Sequence, residues 1–312
     1  MDIFHTKEIS PMLIAENQPP FDSDKYIFEL KFDGIRCLAY LDGDSMELRN
    51  KRNKRIDKIY PELASINKQV KQRCILDGEL LVIRDGKPDF FEMQRRSLMT
   101  NPFKIELASK KLPICFTVYD IIYFEEKQIT DLTLLERKNI LFENVNENGT
   151  IAISRHIENY GVSFFEIAKK QGLEGIVAKK KNSKYYSGKR TKEWIKMKAL
   201  LDDDFIVCGY YLKSNKVTSI ILAQYSQDKL SYQSHVALGV SGNDFKIISS
   251  KDKVSKSYYG DFPDFDDDVV WIVPNLVCKV EFMERTPGGG LRQPVFKGLR
   301  DDKLPEECKY SK

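Results

Sequence analysis

The chain has 312 residues, enough for two domains that each bury a core. Its 50 Lys and Arg against 46 Asp and Glu leave a net charge of only +4, so composition alone does not mark a nucleic-acid binder and any basic surface has to be local. Six scattered cysteines without a C-x-x-C pair and three histidines without metal-site spacing point to reduced thiols and away from zinc; with no apolar run long enough to cross a bilayer, a soluble cytoplasmic protein with no membrane partner is expected.

Strand-like and helix-like segments alternate over the first two thirds. The apolar runs 37–41 and 46–49 flank Asp42-Gly43, and the run 75–84 precedes Asp85-Gly86; an Asp-Gly pair next to such runs predicts a hairpin and hence antiparallel sheet. The aromatic and β-branched run 112–124 predicts a central strand. Thr133 with Glu136, and Ser163 with Glu166, have capping-box spacing, so helices are expected to start there. The second should stop at Gly172 and lead straight into the strand that carries Glu174. Beyond Lys198 the short apolar runs 205–211, 217–225, 230–238 and 276–282 alternate with polar turns and show little helical periodicity, the pattern of a small all-β barrel. The acidic stretch Leu201-Asp202-Asp203-Asp204 is the expected hinge, which divides the chain into domains at 1–201 and 202–312.

Alone, Lys31-Phe32-Asp33-Gly34 reads as a solvated strand-to-turn segment. An amine attacks only when neutral, and partial burial among the cations Arg36, Arg49, Lys196 and Lys198 would favour that form. Gly34 lets the chain turn so that the amine and the Asp33 carboxylate can reach one phosphate. The acidic segment that opens at Glu174 offers a carboxylate for a divalent metal. Lys196 and Lys198 alternate along a strand, so their side chains share a face and could stabilise phosphate charge. Two basic clusters suit nucleic-acid phosphates: Lys51-Arg52-Asn53-Lys54-Arg55, and the stretch from Lys179 through Lys184, Lys189 and Arg190 around Tyr185 and Tyr186.

In order, Glu29-Leu30-Lys31-Phe32-Asp33-Gly34-Ile35-Arg36, Glu47-Leu48-Arg49-Asn50, Leu76-Asp77-Gly78-Glu79-Leu80, Phe116-Thr117-Val118-Tyr119-Asp120, the Glu174 and Lys196/Lys198 strands, and the closing run from Arg292 to Lys303 resemble the motif series of ATP-dependent DNA ligases. The resemblance runs from about residue 11 to 303 and is nearest to bacterial end-joining and repair ligases and their stand-alone or phage relatives. It implies an α+β fold: a nucleotidyltransferase (ATP-grasp-like) domain of antiparallel sheets and helices, followed by an all-β OB-fold domain.

By this resemblance Lys31 attacks the α-phosphorus of ATP, expels pyrophosphate and holds AMP as a phosphoramidate; AMP passes to the 5′-phosphate of a nick, and the 3′-hydroxyl then displaces it. Asp33 positions a metal or that hydroxyl. Glu29 contacts the adenine amine, Arg36 and Arg49 contact ribose and phosphate, and Tyr119 stacks on the adenine. Glu79 holds the ribose or assists a metal, Glu174 ligates magnesium, and Lys196 and Lys198 stabilise the α-phosphate. Arg292, Arg300, Asp302 and Lys303 reach pyrophosphate when the barrel closes over ATP. Lys51, Arg52, Lys54, Arg55, Lys184 and Arg190 are the implied DNA contacts. The implied cofactors are ATP and Mg2+, with Mn2+ as the alternative ion; the implied partners are nicked duplex DNA and repair or end-joining proteins, and a monomer is expected.

An RNA ligase or a capping-type guanylyltransferase would also use a nucleophilic lysine, but the complete closing motif and the DNA-ligase character of both ends of the chain speak against them. An inactive relative that merely binds DNA through its barrel is opposed by the full set of charged residues. NAD as the donor is opposed by the lack of a cysteine-rich zinc module.

Overall fold

The structure, a computed structural model, describes residues 2–213, 216–226, 229–259, 262, 263, 265 and 268–310. The chain divides into two units, Met1–Ala199 and Leu200–Lys312. In chain order the first contains α1 (Ile3–Thr6), β1 (Leu13–Asn17), β2 (Ser23–Leu30), β3 (Ile35–Asp42), β4 (Ser45–Asn50), β5 (Cys74–Arg84), β6 (Lys87–Pro88), α2 (Phe90–Ser97), α3 (Pro102–Lys111) and β7 (Ile114–Phe124). It continues with β8 (Lys127–Gln128), α4 (Leu134–Asn144), β9 (Ile151–Ile153), β10 (His156–Asn159), α5 (Gly161–Lys170), β11 (Gly175–Lys180) and β12 (Arg190–Lys198).

These strands build two sheets. One has the order β1-β12-β11-β2-β10; the other runs β4-β3-β5-β7-β8, with β6 paired to β5 and β9 to β7. The Asp-Gly signals hold: β3 turns into β4 over Gly43-Asp44, and β5 into β6 over Asp85-Gly86, whose φ values of 51° and 76° suit the twist of a two-residue hairpin. β7 sits between β5 and β8 as the expected central strand.

Alternation sorts side chains into three apolar layers. Cys37, Ala39 and Leu41 of β3, Leu76, Leu80 and Val82 of β5, and Phe116 and Val118 of β7 face outward, onto a core with Leu141 of α4. Phe28 of β2, Ile176 and Ala178 of β11, and Ile195 and Met197 of β12 pack on Phe165 and Ala168 of α5. Between the sheets lies a third layer, with Leu38, Tyr40, Ile75, Tyr119 and Ile122 from one side and Val177, Tyr185 and Trp194 from the other. The opposite parity of each strand therefore points Arg36, Asp77, Glu79, Glu29 and Lys179 toward this middle layer.

Of the two capping boxes, the first forms: the Thr133 hydroxyl accepts from the Glu136 amide, and the Glu136 carboxylate accepts from the Thr133 amide. The second does not. α5 starts two residues earlier, at Gly161, which leaves Ser163 inside the first turn, and the Val162 amide instead donates to Asp22 Oδ1 at 2.8 Å. A carboxylate far away in sequence, just before β2, thus satisfies a helix end that local spacing assigned to Ser163. The stop at Gly172 holds: with φ at 69°, it donates to the Lys169 carbonyl while Leu173 donates to that of Ala168, a Schellman ending.

The second unit contains β13 (Leu201–Lys213), β14 (Lys216–Ser226), β15 (Lys229–Val236), α6 (Gly242–Ser249), β16 (Asp268–Phe282) and β17 (Val295–Arg300), with sheet order β15-β14-β13-β16-β17. A bridge between Leu238 and Val295 joins the end after β15 to β17 and curls the sheet toward a barrel. Two expectations change. α6, capped by Ser241, interrupts the all-β texture. The stretch Leu201-Asp202-Asp203-Asp204 is no hinge loop but the start of β13, paired residue by residue with β16. Its charges are matched within the unit: Asp202 with Lys279 at 2.8 Å, Asp203 with Arg285 at 3.0 Å, and Asp204 with Lys303 at 2.5 Å.

Candidate active site

Lys31 leaves the end of β2, and its amide donates to the Gly175 carbonyl at 2.9 Å, which fixes the loop against the start of β11. Gly34 is required here by space: a Cβ at this position would lie 2.2 Å from the Leu80 carbonyl oxygen. Glu174, the residue just before β11, accepts from Lys31 Nζ at 2.5 Å, and Lys198 Nζ of β12 lies 3.8 Å from its other oxygen. Lys196 shares the strand face of Lys198.

The pair is mostly buried, at 19% exposure for the Lys31 side chain and 6% for that of Glu174. Burial raises the Glu174 carboxyl above its ordinary range despite Lys31 beside it. Burial likewise depresses the Lys198 ammonium, helped by the charges of Lys31 and Lys196 and opposed by Glu174. Glu79 is pushed up to about 7 by burial, which outweighs the pull of Arg36 and Lys31.

Glu29, Lys31, Arg36, Glu79 and Tyr119 line one open cleft together with Ile14, Leu30, Phe32, Val177, Lys179 and Trp194. The Arg36 fork is bidentate on buried Asp77, at 2.5 and 2.6 Å, and Asp77 also accepts from the Tyr185 hydroxyl at 2.7 Å. Tyr119 finds the hydroxyl partner its burial demands in Glu79 at 3.4 Å, and both Arg36 and Lys179 lie over its ring. Glu29, 1% exposed, is held by Lys138 at 2.7 Å and Lys179 at 3.2 Å.

Other residues of the motif series lie elsewhere. Arg49 pairs with Glu47 and donates to the Asn53 carbonyl at 2.8 Å, and it is not among the residues lining the cleft. Lys51, Arg52, Lys54 and Arg55 form an exposed turn after β4, with Arg55 on Asp57 at 2.7 Å. Lys184 reaches Asp131 at 2.9 Å and Arg190 the Ile14 carbonyl at 2.7 Å, both at the surface, whereas Tyr185 between them is buried. In the second unit Arg300 grips Asp302 through two bonds, at 2.8 and 2.5 Å, and also reaches Asp204 at 3.2 Å; Arg292 lies 3.0 Å from Glu284. The hydrogen bond to Arg300 pulls the Asp302 carboxyl down to about 2.

Among the described residues no three His, Cys, Asp or Glu cluster as a ready metal cage. Glu174 is nonetheless close enough to raise the Glu79 carboxyl electrostatically, and Asp33 does the same to Glu174. One or two carboxylates beside a phosphate site are what Mg2+ uses, since it completes its shell with phosphate oxygens and water, so the donor set fits that ion.

Asp77, Lys138 and Trp194 carry no role in the sequence reading, and Lys179 and Tyr185, read there as part of a cluster for nucleic-acid phosphates, are instead buried at 3% exposure. Lys138 had a usable signal. It lies in the buried stripe Leu134, Lys138, Leu141 of α4, a cation where an apolar residue belongs, next to the equally buried Arg137. Lys179 looks like part of a solvated Lys-Lys-Lys run, yet strand parity puts it with Val177 in the middle layer, at 3% exposure.

Residues 11–198 match the ATP dependent DNA ligase domain, and residues 213–303 match the ATP dependent DNA ligase C terminal region. The SPbeta prophage-derived DNA ligase-like protein LigB of Bacillus subtilis is 28% identical over 293 residues, which cover 94% of this chain and 99% of that protein. The multifunctional non-homologous end joining DNA repair protein LigD of Mycobacterium tuberculosis is 25% identical over 98% of this chain, but the chain spans only 40% of that longer protein. In fold the chain resembles mycobacterial DNA ligase D complexed with ATP and MES, with a TM-score of 0.57 at 23% identity, covering 97% of this chain and 98% of that one. It also resembles a Lig E DNA ligase, with a TM-score of 0.65 at 19% identity, covering 94% and 100%. The fold is thus that of a nucleotidyltransferase domain with a C-terminal OB-fold, and the chain belongs to the ATP-dependent DNA ligase family.

Proposed function

We propose that Lys31 is the residue through which this ATP-dependent DNA ligase takes up AMP, before passing it to the 5′-phosphate of a nicked duplex and sealing the nick with the 3′-hydroxyl. The observation that carries this reading is the Lys31 amine held 2.5 Å from Glu174 at the mouth of a cleft lined by Glu29, Arg36, Glu79 and Tyr119. As the nitrogen–phosphorus bond forms, the bond from phosphorus to pyrophosphate breaks, and Lys31 loses a proton for which Glu174, made more basic by burial, is the nearest acceptor. Lys198 places positive charge beside the same carboxylate, Lys196 shares its strand face, and both suit the α-phosphate. Mg2+ held by Glu174 and Glu79 would supply neutralisation of phosphate charge.

In this reading Asp33 positions the metal or the 3′-hydroxyl, Glu29 contacts the base, Tyr119 stacks on it, and Arg36 and Arg49 serve ribose and phosphate. Arg292, Arg300, Asp302 and Lys303 are assigned to pyrophosphate in the first step. Lys51, Arg52, Lys54, Arg55, Lys184 and Arg190 are assigned to DNA phosphates. Nucleotide transfer belongs to the first unit, the OB-fold role to the second, and the protein acts as a monomer in repair or end joining.

The test is a gel assay with α-labelled ATP, Mg2+ and nicked duplexes carrying DNA or RNA on each side of the nick. Label retained on the protein from ATP and sealing of the all-DNA nick are expected. Label retained only from GTP would overturn the reading in favour of a capping-type enzyme.

A further inference from the structure

Glu29 sits two residues before Lys31, so strand parity turns both side chains to the same cleft. Its two oxygens are used differently. Oε1 lies 2.7 Å from Lys138 Nζ, which comes from α4, is 2% exposed and does not line the cleft. Oε2 lies 3.2 Å from Lys179 Nζ, which does line it.

A buried carboxylate needs one cation to balance it, and here there are two. The surplus falls on Lys179, whose ammonium burial drives down to about 8 although Glu29 opposes the shift. What keeps that ammonium in place is aromatic: it lies 4.2 Å from the Trp194 ring centre and 4.4 Å from that of Tyr119. With Lys138 balancing Glu29 from behind, Lys179 can turn to a ligand without leaving a buried carboxylate unpaired.

We infer that Lys138 is a positioning residue that keeps Glu29 an acceptor beside the Lys179 donor, and that this acceptor–donor pair selects 6-aminopurine over 6-oxopurine nucleotides. The inference rests on the proposed nucleotide-binding role of the cleft. A 6-aminopurine presents an amino donor next to the N1 acceptor and satisfies both groups. A 6-oxopurine presents O6 against the carboxylate and N1–H against the ammonium, so both contacts are of the wrong sign.

The groups facing Glu29 are Lys138 from α4, Lys179 from β11, and Ser154 and His156 from the segment before and within β10. Burial and Lys138 depress His156, so it adds no charge at neutral pH. Burial on its own would raise the Glu29 carboxyl, and Lys138 followed by Lys179 reverses this and holds it below the ordinary value. Without Lys138, a Lys179 turned to a ligand would leave Glu29 with no balancing cation, and burial would shift its carboxyl upward, toward the protonated, donating form.

The experiment measures covalent label from α-labelled ATP, ITP and GTP across mildly acidic to mildly alkaline pH. The unmodified protein should prefer ATP over both others by at least about 100-fold; ITP matters because it differs from ATP only at the purine 6-position and its neighbouring N1. Lys138→Met should narrow the ATP preference by about tenfold or more and add an acid limb to ATP labelling, and Lys138→Arg should restore both. Lys179→Met, which leaves the Lys138–Glu29 pair intact, should also narrow the preference. ITP used as well as ATP by the unmodified protein, or a Lys138→Met protein with unchanged selectivity and pH profile, would overturn the inference alone. No label from any nucleotide in the unmodified protein would overturn the nucleotide-transfer reading with it.

Discussion

The two units of this chain each gather lysines, arginines and carboxylates, and burial separates what those groups can do. Beside Lys31 the cations meet Glu174 at 6% exposure, and Lys138 meets Glu29 with both side chains at 2%. In the second unit Arg300 and Asp302 meet at 30% and 63%. Buried, most of the groups shift toward neutrality: the Glu174 and Glu79 carboxyls rise and the Lys198 and Lys179 ammoniums fall, while Glu29, flanked by two lysines, is held below its ordinary value. Exposed, the pair merely reinforces charge: Asp302 is pulled down to about 2 and Arg300 is raised further. Equal ion-pair chemistry therefore gives groups poised to exchange protons in one place, which suits the proposed nucleophile Lys31, and firmly charged groups in the other, which suits the proposed phosphate contacts.

The comparison predicts effects of very different size. Lys31→Ala should abolish covalent AMP transfer, a loss of at least roughly 1,000-fold in single-turnover labelling, while leaving the chain folded by circular dichroism. Arg137→Leu strands Asp120, which it grips through two 2.8 Å bonds with both side chains fully buried. A loss of about 3–5 kcal/mol is expected from denaturant titration, and Asp120→Leu in the same chain should recover part of it. Lys198→Met removes the depressed cation beside Glu174 and should slow adenylation about 100-fold, with little change in stability.

A fourth outcome depends on pH. The Glu79 carboxyl titrates at about 7 when folded against an ordinary value of 4.5, so the folded chain keeps a proton that the unfolded chain gives up over that window. Its contribution is fully present below the unfolded value and is lost as pH rises through the folded one, so stability falls with rising pH. Glu79→Gln lacks this slope, and its thermal midpoint relative to the unmodified protein should climb from acidic to neutral pH. The smallest effect belongs to Asp302→Asn, for which no measurable change in thermal midpoint is expected because the pair is solvent-screened; a clear destabilisation would break the contrast between the units.

Local signals were legible where local chemistry decides the outcome. Asp85-Gly86 made its turn, Thr133 its capping box and Gly172 its helix stop, because each depends on atoms within a few residues. Ser163 failed because the helix end it should cap is served by Asp22, far away in sequence. The acidic run 202–204 looked like a hinge because its neutralising partners Lys279, Arg285, Arg300 and Lys303 are distant in sequence. In the cleft, the ordered motifs indicated Lys31, Glu29, Arg36, Glu79 and Tyr119. Lys138 and Lys179 stayed hidden because a lysine is ordinarily solvated, and only the packing of α4 and β11 around Glu29 makes them buried partners.

The most direct test is peptide mapping by mass spectrometry after incubation with ATP and Mg2+. The account predicts the mass of one AMP on the peptide containing Lys31, released by pyrophosphate or by nicked DNA. AMP found on Lys179 or Lys198 instead, or nick sealing that persists in Lys31→Ala, would contradict it.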